Sequence, residues 1–430
     1  MEPAFCYNPF VMKYQIIIFG CQFNYTDSER LETVLKKLGY KKAGNGDQAD
    51  LVFVLACSVR KSAVDRIYGL KRKWTEVRKK YPLVTVLSGC VMEYDKKKMA
   101  EFFDIILSIT DLKKLPKLLA QKALDLPADY YKIHPSYVSD FQAYVPIMSG
   151  CNNFCAYCVV PYTRGREKSR PAKDIVKECR SLIRKGYKEI NLLGQNVNSY
   201  KDDKINFPKL LRMVDEIEGN YWIRFVSSHP KDFSDELIEV MKDGKHITPY
   251  LHLPVQAGDN VILKKMNRNY TIEHYKKLIE KVRKAIPGIS VSTDVIVGFP
   301  GETKQQFKNT VKLFREVKFD MAYIAKYSER PGTAAARLED SVSEVEKKKR
   351  EKELTEVLRK TSSDYNEKFV GQKVKVLVEE CKDGFYSGKT AHFKTIKIPT
   401  DNNVVGQWAK ARIVKADSWG LRGEIDDSSG

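Results

Sequence analysis

Between Ala143 and Tyr327 the sequence repeats one alternation, a short apolar run of strand length followed by a stretch with apolar residues at helical spacing. The strands expected are Ala143 to Met148, Glu189 to Leu193, Trp222 to Ser227, Tyr250 to Val255, Ile289 to Val297 and Met321 to Tyr327, with helices such as Asp174 to Lys185 and Lys304 to Val317 between them. Six such units in a row predict a partial (βα)6 barrel, its parallel strands inside and its helices outside. A second alternation precedes it: Tyr14 to Phe19, a helix from Thr26 to Leu38 ended by Gly39, Asp50 to Ala56, Val84 to Ser88 and Asp104 to Leu107. It predicts an open parallel α/β sheet domain. Leu126 to Asp140, with Pro127 and Pro135, reads as a linker. After a charged helix over 342–368, the runs Gly371 to Glu380, Gly384 to Thr390, Lys394 to Ile398 and Val405 to Val414 predict a small antiparallel β-barrel. The fold class is α/β, in three domains over 12–125, 141–368 and 369–428.

The chemistry is concentrated in cysteines. Cys151, Cys155 and Cys158 lie in the turn after the first strand of the long repeat, in Cys-Asn-Asn-Phe-Cys-Ala-Tyr-Cys. A tight set of thiolates selects zinc, copper(I) or an iron–sulfur cluster. A structural zinc site needs a fourth Cys or His nearby, and residues 159–173 contain neither. A 4Fe–4S cluster held by three cysteines, its fourth iron open to a ligand, accounts for the set better. Cys21, Cys57 and Cys90 each follow the carboxyl end of a strand in the N-terminal alternation, where open parallel sheets bind ligands. The topology predicts that they converge as a second three-thiolate set with its own cluster.

Other polar residues gather at strand ends of the long repeat. Gly194, Gln195, Asn196 and Asn198 end the second strand, where Gly194 allows close backbone approach and the amides suit a bound amino acid. Asp294 and Gly298-Phe-Pro-Gly-Glu-Thr303 end the fifth strand, and Thr303 with Gln306 also fits a capping box. Arg164, Arg166 and Arg170 follow the cysteine loop and are suited to pair a carboxylate or phosphate. Cys179 shares a helical stripe with Ile175 and Leu182 and is expected in the core.

Composition narrows the partners. No apolar run approaches the roughly 20 residues of a membrane helix, and the N-terminus lacks a basic-then-apolar export signal. No membrane partner is expected. Nine cysteines, an odd number, argue for metal ligation in a reducing compartment, the cytoplasm. The net charge is +20, of which +11 falls in residues 131–366, so a polyanion is expected as partner. The run Lys347 to Arg350 is set aside as a solvated helix surface, because glutamates interleave.

The CxxxCxxC loop at the end of a first strand resembles the signature of the radical S-adenosylmethionine (SAM) enzymes. With Phe19-Gly-Cys-Gln, Cys158-Val-Val-Pro-Tyr-Thr-Arg-Gly-Arg-Glu-Lys-Ser-Arg170, Leu193-Gly-Gln-Asn-Val-Asn198, His252-Leu-Pro-Val-Gln-Ala-Gly258 and Ile296-Val-Gly-Phe-Pro-Gly-Glu-Thr303, nearly the whole chain resembles the methylthiotransferases. Those are radical SAM enzymes with a three-cysteine N-terminal domain and a C-terminal RNA-binding TRAM domain. The segments look most like the branch that acts on tRNA carrying an isopentenyl group on adenosine 37; relatives acting on threonylcarbamoyl-adenosine or on a ribosomal-protein aspartate are the alternative. The resemblance implies two 4Fe–4S clusters, SAM as methyl donor and as source of a 5′-deoxyadenosyl radical, and SAM contacts from Gly194, Gln195, Asn196, Asn198, Arg170 and Asp294. It also implies the anticodon stem-loop of tRNA as substrate, an electron donor such as a flavodoxin or ferredoxin, and a sulfur source. On this reading, deleting residues 370–430 weakens tRNA binding and spares SAM cleavage. Ala56 stands where Thr is usual before the cysteine, and Val91-Met92 where Met-Ala is common; neither change removes a ligand.

Overall fold

The computed structural model describes residues 12–44, 46–58, 61–382, 384–399 and 404–426. Residues 427 and 428, expected within the C-terminal domain, lie outside the described residues. The chain forms two compact units. One takes residues up to Val138 with Cys158–Arg166 and Arg330–Gly332; the other takes Ser139–Tyr157, Glu167–Glu329 and Thr333–Gly430.

The first unit is built on β1 (Lys13–Phe19), β2 (Leu51–Cys57) and β3 (Val84–Cys90), parallel neighbours flanked by two-residue edge strands. Every residue of β2, Leu-Val-Phe-Val-Leu-Ala-Cys, is buried, as a central parallel strand covered on both faces requires. Helix α1 (Gln22–Lys37) brings Leu31, Val34 and Leu35 to one cluster, and α2 (Lys61–Arg78) brings Ile67 and Trp74 to the other. Helix α1 starts at Gln22, earlier than the Thr26 expected, because Cys21 and Asn24 form a capping box that draws the polar first turn into the helix. The stretch read as a linker is anchored: Tyr130 and Ile133 are buried in the α1 cluster.

In the second unit six parallel strands form the partial barrel: β4 (Gln142–Pro146), β5 (Glu189–Leu193), β6 (Trp222–Phe225), β7 (Tyr250–His252), β8 (Ser290–Val297) and β9 (Met321–Lys326). They fall into two three-stranded sheets, β4-β5-β6 and β7-β8-β9. The isolated bridge Ile223↔Ile247 and the hydrogen bonds from Ile223 N to His246 O and from Thr248 N to Ile223 O join them. The main helices between strands are α3 (Ala172–Arg184), α4 (Phe207–Asp215), α5 (Asp235–Asp243), α6 (Ile272–Ala285) and α7 (Lys304–Val317). Each carries a buried apolar stripe, and that of α3 includes Cys179, fully buried as expected. The capping box of Thr303 and Gln306 starts α7.

Helix α8 (Glu344–Asn366) leads into a closed five-stranded barrel of β10 (Lys373–Lys382), β11 (Phe385–Thr390), β12 (Thr395–Pro399), β13 (Trp408–Asp417) and β14 (Gly420–Ile425). The fifth strand was not expected from sequence. A closed ring with an odd number of strands cannot be antiparallel at every seam, and here β12 pairs with β14 in parallel while the other seams are antiparallel. The barrel is not a detachable appendage. Its turn between β11 and β12 packs on the amino-terminal ends of the partial-barrel strands. Arg224 donates to the carbonyls of Thr390 and Ala391, Phe393 stacks on Tyr250 at 4.6 Å, and Lys394 pairs with buried Asp320 at 2.5 Å.

Candidate cluster and cofactor site

Cys21 lies just past β1, while Cys57 and Cys90 are the last residues of β2 and β3 and are partners in register. Three adjacent strands thus bring the three thiols to one edge of the sheet. Gly20 and Gly89 make the approach possible. A Cβ on Gly20 would meet the Asn24 side chain at 2.1 Å, and one on Gly89, whose φ is +99°, would meet the Ala56 carbonyl at 2.5 Å. The Cys90 thiol is pushed up by its hydrogen bond with Cys57 and then by burial. Burial raises Cys21 too, with Cys90 adding to it. The three groups therefore sense one another.

Arg164 completes this cluster of side chains. Its Nε donates to the Cys90 sulfur at 2.8 Å, its NH2 pairs with Asp27, and its guanidinium lies 4.3 Å from the Phe23 ring centre. Asp27 in turn accepts from the Tyr130 hydroxyl at 2.6 Å. Burial works against the arginine's charge, but Asp27 and Cys90 outweigh it and hold the guanidinium protonated.

In the loop after β4, Gly150 takes φ +82° and Phe154 φ +47°, the left-handed turns that fold the cysteine stretch. Gly150 N donates to Gln195 Oε1 at 2.7 Å, Ala156 N to Met266 O at 2.9 Å, and Asn267 Nδ2 to the Asn153 and Phe154 carbonyls. Arg268, buried, donates to Cys155 Sγ at 3.5 Å, to Tyr270 OH and to Pro254 O. Cys151, Cys155 and Cys158 are all partly exposed, and burial raises the Cys151 thiol. Among the described residues no three Cys, His, Asp or Glu side chains stand close enough to share one metal ion. Each three-cysteine set is soft in its donor chemistry, which suits zinc, copper(I) or an iron–sulfur cluster.

The strand-end residues divide. Gln195 fixes the base of the cysteine loop, and Asn196 donates to Asp232 at 2.8 Å while its own oxygen is buried without a partner. An acceptor left unpaired there is available to a ligand. Asn198 is engaged at both ends of its amide by the His229 backbone, so it shapes the turn. The close approach at Gly194 is to Met148, whose Cγ would lie 2.7 Å from an added Cβ. Arg170 is buried and donates to Pro146 O and Glu178. Asp294 is half-exposed, 3.4 Å from His252 Nε2 and in register with Tyr323. Arg268 and Ser292, which bonds both Tyr250 OH and His252 Nδ1, were not singled out from sequence, and His252 was named only as the first residue of a family-like segment, with no role. Nor was the buried pair of Glu189 and Arg224 at 2.6 Å, although a lone charge inside each of two apolar strands was a signal.

Residues 145–314 match the family model described as Radical SAM superfamily, and residues 13–110 that described as Uncharacterized protein family UPF0004. The tRNA-2-methylthio-N(6)-dimethylallyladenosine synthase of Thermoanaerobacter sp. (strain X514) is 42% identical over 434 residues, spanning 96% of this chain and 92% of that protein. The protein of the same name from Clostridium novyi (strain NT) is 40% identical over 447 residues, spanning 97% of each. The fold is similar to that of the radical SAM methyltransferase TsrM from Kitasatospora setae, solved with cobalamin and a 4Fe–4S cluster, at TM-score 0.52 and 14% identity over 76% of this chain and 74% of that one. The chain belongs to the radical SAM superfamily and, within it, to the tRNA-2-methylthio-N(6)-dimethylallyladenosine synthase family.

Proposed function

We propose that this chain methylthiolates C2 of N6-isopentenyladenosine at position 37 of tRNA, using SAM both as methyl donor and as radical source. The observation that carries this is a pair of three-thiol sets, one at a sheet edge and one in a loop, in a chain 42% identical over nearly its full length to a synthase of that product. Radical SAM membership implies a 4Fe–4S cluster and SAM. Cys151, Cys155 and Cys158 hold that cluster, and three thiolates leave one coordination position for SAM. A cluster held by these residues would supply the electron for reductive cleavage of SAM, the source of the radical needed at C2. Cys21, Cys57 and Cys90 hold a second cluster and carry the inserted sulfur.

The chain's own residues orient and shield. Gln195 and Asn267 pin the cysteine loop from both sides, so the thiols are presented in one geometry. Asn196, with its unpaired oxygen, and half-exposed Asp294 offer SAM its polar contacts, with Arg170, Gly194 and Asn198 holding the backbone behind them. An adenosine must leave its stack to reach a radical, at a cost of a few kcal/mol, and phosphate contacts from a chain of net charge +20 offset it. The C-terminal barrel over 369–428 grips the anticodon stem-loop. A flavodoxin or ferredoxin supplies electrons and a separate donor supplies sulfur. A tRNA substrate puts the work in the cytoplasm, and no described helix is long and apolar enough to cross a membrane.

The test is to offer the anaerobically reconstituted enzyme tRNA with and without the isopentenyl group, and the ribosomal-protein substrate, and to follow products by mass spectrometry. Methylthiolation of isopentenylated tRNA alone is expected. Equal turnover on unmodified adenosine refutes the substrate, and turnover on the protein alone refutes the RNA reading.

A further inference from the structure

Arg164 stands out among the buried charges. Its side chain is 4% exposed and its salt-bridge partner Asp27 is fully buried. Asp27 is already engaged by Tyr130 OH and by the NH1 and NH2 groups of Arg164, so an ion pair alone does not need the third donor, Nε. That donor is aimed at sulfur, 2.8 Å from Cys90 Sγ. Arg170, six residues on, shows the contrast: its guanidinium bonds a carbonyl and Glu178. The cysteine loop repeats the device with other residues, since buried Arg268 donates to Cys155. Each thiol set thus has one sulfur that accepts from a guanidinium.

An N–H donor and a positive charge beside a ligand sulfur stabilise the electron-rich reduced cluster more than the oxidised one, and so raise its reduction potential. We propose that Arg164 is the positioning residue of the set formed by Cys21, Cys57 and Cys90: it orients the Cys90 sulfur and sets the potential of the cluster bound there. This rests on the reading of those cysteines as cluster ligands. Asp27, held by Tyr130, sets the guanidinium's direction and offsets part of its charge.

The full-length chain carrying Cys151→Ala, Cys155→Ala and Cys158→Ala, reconstituted anaerobically, isolates the cluster in question. Iron content and an EPR-monitored redox titration are the readouts. Arg164→Met is expected to keep its iron and to shift the reduction equilibrium at least tenfold toward the oxidised form, about 59 mV for a one-electron couple. Arg164→Lys, which keeps the charge and loses the fork, should recover part of that shift. Asp27→Asn removes the offsetting charge and should move the equilibrium the other way, and Arg268→Met should leave it unchanged. An iron-loaded Arg164→Met protein with the parent potential overturns the proposal, as does an equal shift from Arg268→Met. Should Arg164→Met fail to fold or lose its iron, the sign of the Asp27→Asn shift decides: upward supports the role, zero or downward overturns it. A parent protein that binds no iron sinks the cluster reading of Cys21, Cys57 and Cys90 itself, a result distinct from an iron-loaded parent whose potential ignores Arg164.

Discussion

The guanidinium of Arg224, on β6, donates to the main-chain carbonyl of Thr390, in the C-terminal barrel, at 2.8 Å, although the two residues are 166 positions apart. The same side chain donates to Glu189 Oε2 at 2.6 Å, and both members of that pair are at most 1% exposed. Removing one partner of a buried pair strands the other charge, at a cost of about 3–5 kcal/mol. Arg224→Met should therefore destabilise the full chain by that order in denaturant unfolding. Adding Glu189→Leu should recover much of the loss; additive losses in the double variant would show that the pair is not coupled.

Truncation after residue 369 is a sharper form of the same test. It removes the carbonyls that satisfy Arg224, the ring on Tyr250 and the ammonium on Asp320. The truncated chain should unfold at lower temperature and lose SAM cleavage as well as tRNA binding, in place of the weakened tRNA binding with SAM cleavage spared that is expected from sequence. Full SAM cleavage at unchanged thermal stability would count against an integral barrel.

Two thiol sets predict two clusters. Reconstituted protein should hold about eight irons per chain, and either triple Cys→Ala variant about half. Loss of all iron in one triple variant would mean a single shared site.

Asn198 separates turn-shaping from cofactor contact. Asn198→Ala leaves the buried His229 N–H without its acceptor, while the His229 carbonyl keeps the Asp232 N–H, at a cost of about 1–3 kcal/mol. A lower melting temperature with an unchanged KM for SAM is expected, and a raised KM at unchanged stability would place the amide on SAM.

Glu379 carries a pH signature. Its carboxyl is pushed up to about 7, first by burial, with Glu189 adding and Lys389 opposing. A carboxyl that binds its proton more tightly folded than unfolded makes stability fall as pH rises from about 4.5 to about 7, with no further change above. Glu379→Gln should be nearly silent at pH 4 and stabilising at pH 8, by up to about 3 kcal/mol. Thermal unfolding at the two pH values checks it, and an equal effect at both refutes the assignment.

What the sequence shows of this molecule is its periodic part and its rare residues. The strand Leu51 to Cys57 is legible because a covered parallel strand is a run of apolar side chains, and Ser290 to Val297 because its β-branched residues Val291, Thr293, Val295, Ile296 and Val297 favour a strand, while the cysteines stand out by their place at strand ends. The surroundings of those thiols are not legible. Arg164 and Asp27 are 137 positions apart, each looks like a surface charge in its own segment, and only the folded chain pairs them. The polar first turns of α1 read as loop for the same reason: Asn24 and Asp27 are buried against partners outside the helix. Strand β14 was missed because Gly420-Leu-Arg-Gly-Glu-Ile has two glycines and two charges, and its partners complete it.

The two three-stranded sheets of the partial barrel meet along a line with few hydrogen bonds, beside Ile223 and Ile247. The turn of the C-terminal barrel spans that line, with Thr390 and Ala391 on Arg224 of one sheet and Phe393 and Lys394 on Tyr250 and Asp320 of the other. One short turn is thereby bonded to both at once, so the outer barrel ties together two sheets that share few bonds of their own.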